Sequence, residues 1–514
     1  MCGIAGIIDF RTPPKEDLLR RMLGLIRHRG PDSFGIYTDP QAGLAHARLS
    51  ILDLAGGDQP IHNEDQSLWL VYNGEIFNYP ELRERLVKSG HRFYTRTDTE
   101  ILVHLYEEKG ADLFEDLNGQ FAFALWDKKR QRLFLGRDRF GIRPFFYHTV
   151  GGRLVFGSEI KVLFADPEVP RRIDLQTLAD IFTAWVPLGE ETPFEGIRQL
   201  PPGSWAEFSS GGLKVTSYWK PSFSEMEEDE KPAVHYLEPL KALLEDAVRI
   251  RLRADVPVGA YLSGGLDSTY LTSLIKQRFD NRLRTFSVGF RDERFDESLY
   301  QDQAVAALDT DHRSVQCTDR DIGQSFPRVI WHAESPLVRT APAPLHQLSR
   351  LVRDNGFKVV LTGEGADEIF AGYDLFKEDR VRRFWARQPQ SQWRPRLFSR
   401  LYPDIFPEDD GKAMAFRMGF FRRGLDQTED PAYSHRVRWD NTAQIQKFFT
   451  KEVSGFLEGR DTFRERFLSR LPADFMSWNP LSRAQYIELT TFLPNYLLSS
   501  QGDRMAMAHG VEGR

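Results

Sequence analysis

The sequence has very little cysteine: its 514 residues include only Cys2 and Cys317. Two cysteines exclude a disulfide framework of the kind that supports small secreted domains, and they fit a reducing compartment. No apolar run reaches the roughly 18 residues that a membrane span needs. The apolar start MCGIAGIIDF has no basic region and is interrupted by Asp9, so it is not a signal peptide. These absences predict a soluble, cytoplasmic protein with no membrane partner.

An excess of charge of one sign is also missing. The chain has 68 Lys and Arg against 74 Asp and Glu, a formal net charge of −6, whereas dedicated nucleic-acid-binding proteins are normally strongly basic. The arginine-rich stretch 380–400 is interpreted as a helical face whose arginines lie over apolar surface, so no nucleic-acid partner is expected. The length predicts roughly two to four domains.

The first 220 residues are rich in strand patterns. Segments 121–127 and 131–137 flank a polar turn, and 145–148 and 153–157 flank a Gly-Gly turn, so each pair predicts a hairpin. The tetrapeptide 97–100 (TDTE) has the pattern of a capping box and predicts the start of a helix that ends near Gly110. These features predict a mixed α+β architecture for this part of the chain.

The composition changes after residue 215. Segment 216–235 is acidic, contains proline and has few apolar residues, which predicts a solvated linker. Beyond it, strand patterns at 256–262, 283–290 and 358–362 alternate with helical ones. This alternation predicts an α/β unit with a parallel sheet, and 380–500 is mostly helical in pattern. The predicted domains are therefore 1–215 and 236–514.

Cys2 can become a nucleophile that carries its own base. Removal of Met1 would leave a free α-amino group, whose unperturbed pKa of about 7.7–8.0 leaves part of it neutral at physiological pH. That amine can accept the thiol proton directly or through one water. A buried cysteine is more often a small hydrophobe, so the interpretation depends on the residues that accompany it.

Five blocks accompany Cys2: CGIAG (2–6), HRGPD (28–32), RLSILD (48–53), NGEIFN (73–78) and TDTE (97–100). Together they resemble the class II, N-terminal-nucleophile glutamine amidotransferases, specifically the domain found in glutamine-hydrolysing asparagine synthetases. The resemblance implies an αββα sandwich over residues 1–215. It also implies that Cys2 is the nucleophile, that Asn73 and Gly74 stabilise the oxyanion, that Arg48 binds the glutamine carboxylate, and that Asp98 and Glu75 bind its ammonium group.

A glycine-rich turn, Ser263-Gly264-Gly265-Leu266-Asp267-Ser268, lies between a predicted strand and a predicted helix. Glycines let the backbone approach an anion, and a helix N-terminus directs N–H groups toward it. The turn lacks the lysine of a Walker A loop. It resembles the phosphate loop of the ATP pyrophosphatase family, which forms acyl-adenylates. The resemblance implies an ATP site built from Leu262, Ser263, Gly264, Gly265, Asp267, Ser268, Val288, Thr362 and Gly363.

The block Thr362–Glu368 (TGEGADE) follows a predicted strand and resembles a motif of the same family. The resemblance implies that Glu364 acts as a base toward ammonia and that Asp267 and Asp367 bind Mg²⁺ with pyrophosphate. Cys317 is expected to be structural, and the histidines show no metal-ligand spacing.

The two halves together imply one reaction. Glutamine releases ammonia, ATP activates a carboxylate as its adenylate, and ammonia displaces AMP. The resemblance names aspartate as the acceptor and implies a homodimer. Three alternatives remain open: a relative that amidates another carboxylate, such as a β-lactam synthetase or a peptide- or glycan-modifying enzyme; a fragment with glutaminase activity alone; and an inert regulatory homologue. The fragment is considered because family members continue past 503–514 to a catalytic lysine that has no counterpart here.

Overall fold

The computed structural model describes residues 2–223, 231–279, 283–292, 294–401, 416 and 418–514. The first part of the chain contains twelve described strands and five described helices. The strands are β1 Gly3–Asp9, β2 Ser33–Thr38, β3 Ala42–Arg48, β4 Ile61–His62, β5 Leu68–Ile76, β6 Gly119–Asp127, β7 Arg132–Arg137, β8 Phe146–Val150, β9 Arg153–Gly157, β10 Ile197–Gln199, β11 Ser204–Ser209 and β12 Gly212–Ser217. The helices are α1 Glu16–Ile26, α2 Tyr79–Lys88, α3 Glu100–Lys109, α4 Ile160–Leu163 and α5 Leu175–Ala184, with a 3-10 turn at Gly110–Glu115.

The strands form two antiparallel sheets of six, in the orders β10-β8-β9-β1-β3-β2 and β12-β11-β7-β6-β5-β4. Alternating apolar side chains from both sheets meet in a shared core, which includes Ile4 and Leu44 from one sheet and Trp126 and Leu135 from the other. Apolar faces of α1 and α3 cover the outer sides of the two sheets. The predicted αββα sandwich is therefore confirmed, and both predicted hairpins pair as expected.

The predicted capping box at Thr97–Glu100 is wrong. Helix α3 begins at Glu100 itself, and Thr99, which precedes it, makes no capping hydrogen bond through its side chain. The Glu100 carboxylate instead accepts hydrogen bonds from the backbone N–H groups of Tyr94 and Thr95, at 2.8 and 2.7 Å. Residues 97–99 therefore form a loop before α3, and the side chain of Glu100, the first residue of α3, bonds the backbone just ahead of this loop. Asp98 lies in the loop.

The second part of the chain contains a parallel sheet in the order β15-β14-β13-β16-β17. Its strands are β13 Val258–Tyr261, β14 Arg284–Phe290, β15 Asp311–Cys317, β16 Val359–Leu361 and β17 Glu512–Gly513. The accompanying helices are α6 Val234–Arg251, α7 Leu266–Arg278, α8 Ser298–Leu308, α9 Asp319–Ala333, α10 Pro342–Asp354, α11 Ala366–Phe370 and α12 Asp374–Ala386. The predicted α/β parallel-sheet domain is confirmed.

The region after α12 is helical, as the sequence predicts. It contains α-helices at Tyr433–Thr442, Lys451–Leu457, Phe463–Leu468, Pro480–Ile487 and Arg504–Met507, 3-10 turns at Arg394–Arg400, Ala443–Phe448 and Phe475–Ser477, and a π-helical stretch at Glu488–Asp503. None of the helices in the described ranges combines the length and the apolar character that crossing a bilayer requires.

The predicted linker at 216–235 lies between β12, which ends at Ser217, and α6, which begins at Val234. Most of its acidic residues fall in 224–230, outside the described residues. The domain limits at 215 and 236 stay predictions.

Buried ion pairs join the two parts of the chain. The Arg29 guanidinium, which belongs to the HRGPD block, donates to both oxygens of Asp503 at 2.8 and 3.0 Å. It also donates to Glu159 at 3.1 Å, and all three side chains are almost fully buried. Burial by itself raises the pKa of Asp503, but the charges of Arg29 and Arg143 outweigh it and the pKa lies below its usual range. The carboxylate therefore stays ionised within the interface.

We expect Arg29→Met to lower the melting temperature of the protein strongly. The substitution leaves the buried Glu159 and Asp503 carboxylates without their shared guanidinium, and breaking a buried pair costs about 3–5 kcal/mol. Arg20→Met is the matched control, because Arg20 forms an exposed i, i+4 pair with Glu16 that is worth at most about 1 kcal/mol. Scanning calorimetry of both variants checks the prediction, and equal melting temperatures would contradict it.

Candidate functional site

Cys2 lies directly before β1, within the interior of the sandwich domain. Its backbone nitrogen donates to Asn73 Oδ1 at 2.9 Å, and its Sγ lies 4.0 Å from the Leu49 carbonyl oxygen. Arg29 Nε also donates to the Cys2 carbonyl oxygen at 3.2 Å. Burial raises the pKa of the thiol, so the thiol needs a nearby base to become a nucleophile. That base is available only if the nitrogen held by Asn73 becomes an α-amine.

Asn73 lies in β5, where its side chain reaches the start of β1. Its Oδ1 accepts from Cys2, while its Nδ2 is buried and has no hydrogen-bond partner among the described residues. A buried, unpaired amide donor is costly and therefore calls for a ligand or a role in catalysis. The arrangement leaves one amide donor free beside the Cys2 backbone.

The six residues that the sequence assigned to the glutamine site lie together. Cys2, Arg48, Gly74, Glu75 and Asp98 line one small pocket, and Asn73 contacts Cys2. Four other residues line the same pocket: Gln59, Tyr72, Thr97 and Thr99. Sequence reasoning missed Gln59 and Tyr72, which no motif marks, and assigned no role to Thr97 and Thr99 although both lie in the block 97–100.

Arg48 and Asp98 are each fixed by neighbouring groups. Arg48 Nη1 pairs with Asp58 at 3.0 Å, and Nη2 donates to the Asp53 carbonyl oxygen at 2.6 Å. Asp98 Oδ2 accepts from the Tyr72 hydroxyl at 2.7 Å and from the backbone N–H of Ile76 at 2.9 Å. Burial raises the pKa of Asp98. The pocket therefore presents a guanidinium and a carboxylate that are both held in place.

Glu75 faces both the pocket and the synthetase part of the chain. Its Oε2 lies 3.1 Å from Arg514 Nη2, while its Oε1 has no hydrogen-bond partner among the described residues. Burial raises the pKa of Glu75 well above its usual value, although Arg514 opposes this shift. Only the tertiary structure brings Arg514 to this residue.

The glycine-rich turn joins β13 to α7. Gly264 has φ of +87°, and a Cβ there would lie 2.9 Å from Tyr300 and Gln301, so the turn requires glycine at this position. Inside the turn, the Ser263 and Ser268 hydroxyl oxygens lie 2.9 Å apart and the Gly265 N–H donates to Ser263 Oγ at 3.2 Å.

The walls of the turn come from β13 and β14. The Leu262 N–H donates to the Phe286 carbonyl oxygen at 3.0 Å. Gln301 Nε2 donates to the carbonyl oxygens of Val288 and Ser263, at 3.1 and 3.4 Å. Gln301 thereby ties the turn to Val288, and sequence reasoning missed it because it lies in a helix without a motif.

The block after β16 packs against the same turn. A Cβ at Gly363 would lie 3.2 Å from Asp267 Cβ, which shows how closely the two segments approach. Burial and the negative charge of Asp267 together raise the pKa of Asp367. Asp267 and Asp367 thus place two carboxylates at the glycine-rich turn, and carboxylate oxygens are ligands that Mg²⁺ prefers.

Glu364 follows in the same block. It is exposed to solvent. Partial desolvation by the surrounding protein, together with the negative charges of Glu368 and Asp367, raises the pKa of Glu364 to about 7. Thr362, one residue after β16, donates its N–H to the Arg514 carbonyl oxygen at 2.8 Å.

A cavity of about 230 Å³ lies between the two parts of the chain. Gln120 and Arg143 line it from the sandwich domain, and Thr362 and Glu364 line it from the parallel-sheet domain. Arg514 lines the cavity and also pairs with Glu75 of the Cys2 pocket. Arg514 therefore contacts both the cavity and a side chain of the Cys2 pocket.

Comparison with protein families agrees with this two-part architecture. Residues 1–219 match the glutamine amidotransferase domain family, and residues 239–514 match the asparagine synthase family. The second match spans more than half of the chain. This chain belongs to the asparagine synthase family. Its two domains make it a glutamine-dependent carbon–nitrogen ligase of that family, with ATP as a substrate.

Several members of the family are similar over the whole chain. Asparagine synthetase [glutamine-hydrolyzing] 1 of Bacillus subtilis is 31% identical over 523 residues, which cover 100% of this chain and 79% of the relative. Amidase chyE of Penicillium rubens is 31% identical over 556 residues, with 100% and 80% coverage. A putative asparagine synthetase [glutamine-hydrolyzing] of Mycobacterium bovis is 32% identical over 538 residues, with 100% and 79% coverage. Relatives of similar identity therefore carry different names.

We expect Gly74→Ala to destabilise the sandwich domain of this family member. The Cβ of an alanine at position 74 would lie 2.2 Å from the Gln120 carbonyl oxygen and 2.7 Å from Phe121 Cα. These backbone atoms belong to β6, which pairs with β5, so moving them apart would disrupt the sheet. Gly24→Ala is the matched control, since a Cβ there meets nothing within 4 Å and alanine favours a helix by up to about 1 kcal/mol. Thermal unfolding should show a clear loss only for Gly74→Ala; a Gly74→Ala protein as stable as the parent would contradict it.

Proposed function

We propose that the chain makes asparagine from glutamine, aspartate and ATP. Cys2, freed of Met1, attacks the side-chain amide of glutamine. Its sulfur forms a thioester as the carbon–nitrogen bond breaks and ammonia leaves, and water then converts the thioester to glutamate. The free α-amine takes the thiol proton and returns it to the leaving nitrogen.

The pairing of Cys2 with Asn73 is the observation that carries this proposal. Asn73 Oδ1 holds the nitrogen that would serve as the base, at 2.9 Å, while Asn73 Nδ2 is left without a partner in the described structure. One side chain can therefore orient the base and donate to the oxyanion that forms during attack. Such a donor is worth about 2.7–4 kcal/mol of barrier.

The charges around the pocket support the recognition of a free amino acid. In the proposal, Arg48 binds the glutamine carboxylate and Asp98 binds its ammonium group. Asp58 and the hydroxyl of Tyr72 hold these two groups in position. Glu75 contributes a second carboxylate to the pocket, and its contact with Arg514 couples glutamine binding to the synthetase domain.

The second domain would bind ATP through the turn 263–268 at the N-terminus of α7. Leu262, Val288, Thr362 and Gly363 would form its surroundings. Asp267 and Asp367 would hold Mg²⁺, which when bound would neutralise negative charge on the pyrophosphate. Glu364, with a pKa of about 7, is suited to take a proton from attacking ammonia at neutral pH.

The cavity of about 230 Å³ supports a protected route for ammonia. Ammonia in bulk water would be protonated and lost, so an interior passage is needed between the two reactions. In the proposal ammonia leaves the Cys2 pocket past Gln120 and the pair formed by Glu75 and Arg514, and reaches Glu364 through this cavity.

We expect Asn73→Ala to lower kcat for glutamine hydrolysis by about 10²–10³-fold, because an oxyanion donor is lost. Cys2→Ala should abolish glutamine hydrolysis. Both variants should retain ATP turnover with added ammonia, since the synthetase domain is unchanged. Asn118→Ala, which removes an exposed amide, is the matched control and should behave like the parent. Glutamate and pyrophosphate assays measure the two activities, and normal glutamine hydrolysis in Asn73→Ala would refute this site.

A second candidate function is the amidation of a bulkier carboxylate. A cavity of about 560 Å³ adjoins the segment that follows Asp367, and Tyr373 and Asp374 line it. Trp185, Phe492 and Arg339 line the same cavity, and Arg339 lies over the Trp185 ring at 5.2 Å. This space is larger and more aromatic than a four-carbon dicarboxylate requires. A relative from Penicillium rubens that is 31% identical over the whole chain is named an amidase and not an asparagine synthetase.

The acceptor is tested by pyrophosphate release with ATP, Mg²⁺ and ammonia. We expect release with aspartate, and mass spectrometry should find the ¹⁵N of amide-labelled glutamine in asparagine. A panel of longer and aromatic carboxylic acids is the comparison. Release with these acids and not with aspartate would favour the second candidate, and no ATP turnover with any acid would refute both.

A further inference from the structure

Two histidines and two glutamates meet on the surface of the amidotransferase domain, away from the Cys2 pocket. His91 follows α2, His104 and Glu107 lie in α3, and Glu64 lies in the turn between β4 and β5. One ligand atom from each of the four residues lies within 4.8 Å of all the others. His104 is fully buried, whereas Glu64 and Glu107 are accessible to solvent. An ion could therefore enter from one side of the cluster.

Both histidine Nδ1 atoms lie within 4 Å of both carboxylates. Nδ1 of His104 lies 3.2 Å from Glu107 Oε2 and 3.7 Å from Glu64 Oε2. Nδ1 of His91 lies 3.7 Å from Glu107 Oε2 and 3.8 Å from the other Glu64 oxygen, Oε1. Zinc bonds of about 2.0–2.2 Å, arranged tetrahedrally, place ligand atoms about 3.3–3.6 Å apart. Small side-chain movements would be enough to close the site.

The outer nitrogen of each histidine faces a carboxylate. Nε2 of His91 lies 3.4 Å from Glu108, and Nε2 of His104 lies 3.6 Å from Glu100. His104 Nε2 is buried and makes no hydrogen bond within the described residues. A metal ligand of this type almost always donates its other N–H to a carboxylate, carbonyl or water. Both histidines thus present Nδ1 to the cluster and Nε2 to such a partner.

The two glutamates are also oriented by neighbouring groups. Asn63 Nδ2 donates to Glu107 Oε1 at 2.8 Å, and the backbone N–H of Arg92 donates to Glu64 Oε1 at 2.9 Å. Each of the four ligands therefore has a supporting contact. This degree of support distinguishes the cluster from a group of acidic residues that merely share a surface.

The charges of the cluster call for a cation. Four carboxylates, those of Glu64, Glu100, Glu107 and Glu108, surround two imidazoles. Within the described ranges, the ion pairs of these carboxylates are all with His91 or His104. Protons on the histidines or a bound cation would offset the repulsion among these carboxylates.

We propose that Glu64, His91, His104 and Glu107 form a zinc site. Two imidazole nitrogens and two carboxylate groups that lie within 4.8 Å of one another suit Zn²⁺ better than Mg²⁺ or Ca²⁺, which prefer oxygen ligands alone in larger number. None of the four ligands lines the Cys2 pocket. The sequence shows no zinc motif here because the four ligands come from three separate segments.

The site connects to the glutamine pocket through Glu100. The Glu100 carboxylate that faces His104 also accepts from the Thr95 hydroxyl at 2.6 Å and from the backbone of Tyr94 and Thr95. These contacts hold the loop that carries Thr97 and Asp98. Zinc at His104 therefore acts as a structural support for this loop, at a distance from the reacting atoms.

Metal binding to the full-length, untagged chain tests the proposal. After treatment with a chelator, the chain is titrated with ZnCl₂ by calorimetry, and elemental analysis gives the stoichiometry. We expect one strongly bound zinc per chain, and at least a tenfold loss of affinity in Glu64→Gln and in His91→Gln, since even loss of a supporting residue costs 10–100-fold. Both residues are partly exposed, so the variants are expected to fold.

Matched controls separate this site from other zinc ligands. Glu84→Gln and His235→Gln remove an exposed glutamate and an exposed histidine elsewhere, and Cys2→Ala removes the reactive thiol. All three should bind zinc like the parent, and Co²⁺ should give the visible absorption of a four-coordinate ion in these proteins but not in Glu64→Gln or His91→Gln. Failure of the parent to bind zinc, unchanged affinity in both ligand variants, or loss of binding in Cys2→Ala would overturn the proposal. These measurements do not depend on the proposed reaction.

Discussion

The buried contacts of Arg29 are the constraint on which the two-domain arrangement depends. This guanidinium joins Asp503, next to the synthetase cavity, to Glu159 of the sandwich domain, and it also bonds the carbonyl oxygen of Cys2. Charged groups removed from water remain favourable only when they are paired with good geometry. The interface can therefore adopt few alternative arrangements, and the Cys2 pocket keeps a defined position relative to Glu364.

The proposed chemistry requires this rigidity. In the proposal a thiol, its base and an oxyanion donor must stay within hydrogen-bond reach of one another, and β1 and β5 hold Cys2 and Asn73 in that relation. In the other domain, the close approach of Gly363 to Asp267 fixes the turn 263–268 against the block after β16. In both domains many of the candidate site residues lie on strands or directly beside their ends, and Arg514 contacts Glu75 of the Cys2 pocket.

The loop that carries Asp98 shows how a local motif can mislead. Thr97 and Glu100 have the spacing of a capping box, yet the Glu100 carboxylate bonds the backbone of Tyr94 and Thr95, and α3 begins two residues later than that pattern predicts. Tertiary contacts outweigh the local preference because Glu100 is fully buried and must satisfy both of its oxygens. The same burial places Glu100 beside His104.

The sequence by itself was sufficient for the fold class and for most of the candidate site. Strand alternation and turn patterns, which are local, predicted a mixed α+β part followed by a parallel α/β part. The αββα sandwich and the candidate site residues followed from the family resemblance that the blocks around Cys2, Asn73 and Ser263 carry. The partners that come from distant segments could not be predicted: Arg514 beside Glu75, Gln301 beside Val288, and His91 beside His104. Only the tertiary structure decided these contacts, since they depend on how sheets and helices pack and on which buried charges must find a partner across the chain.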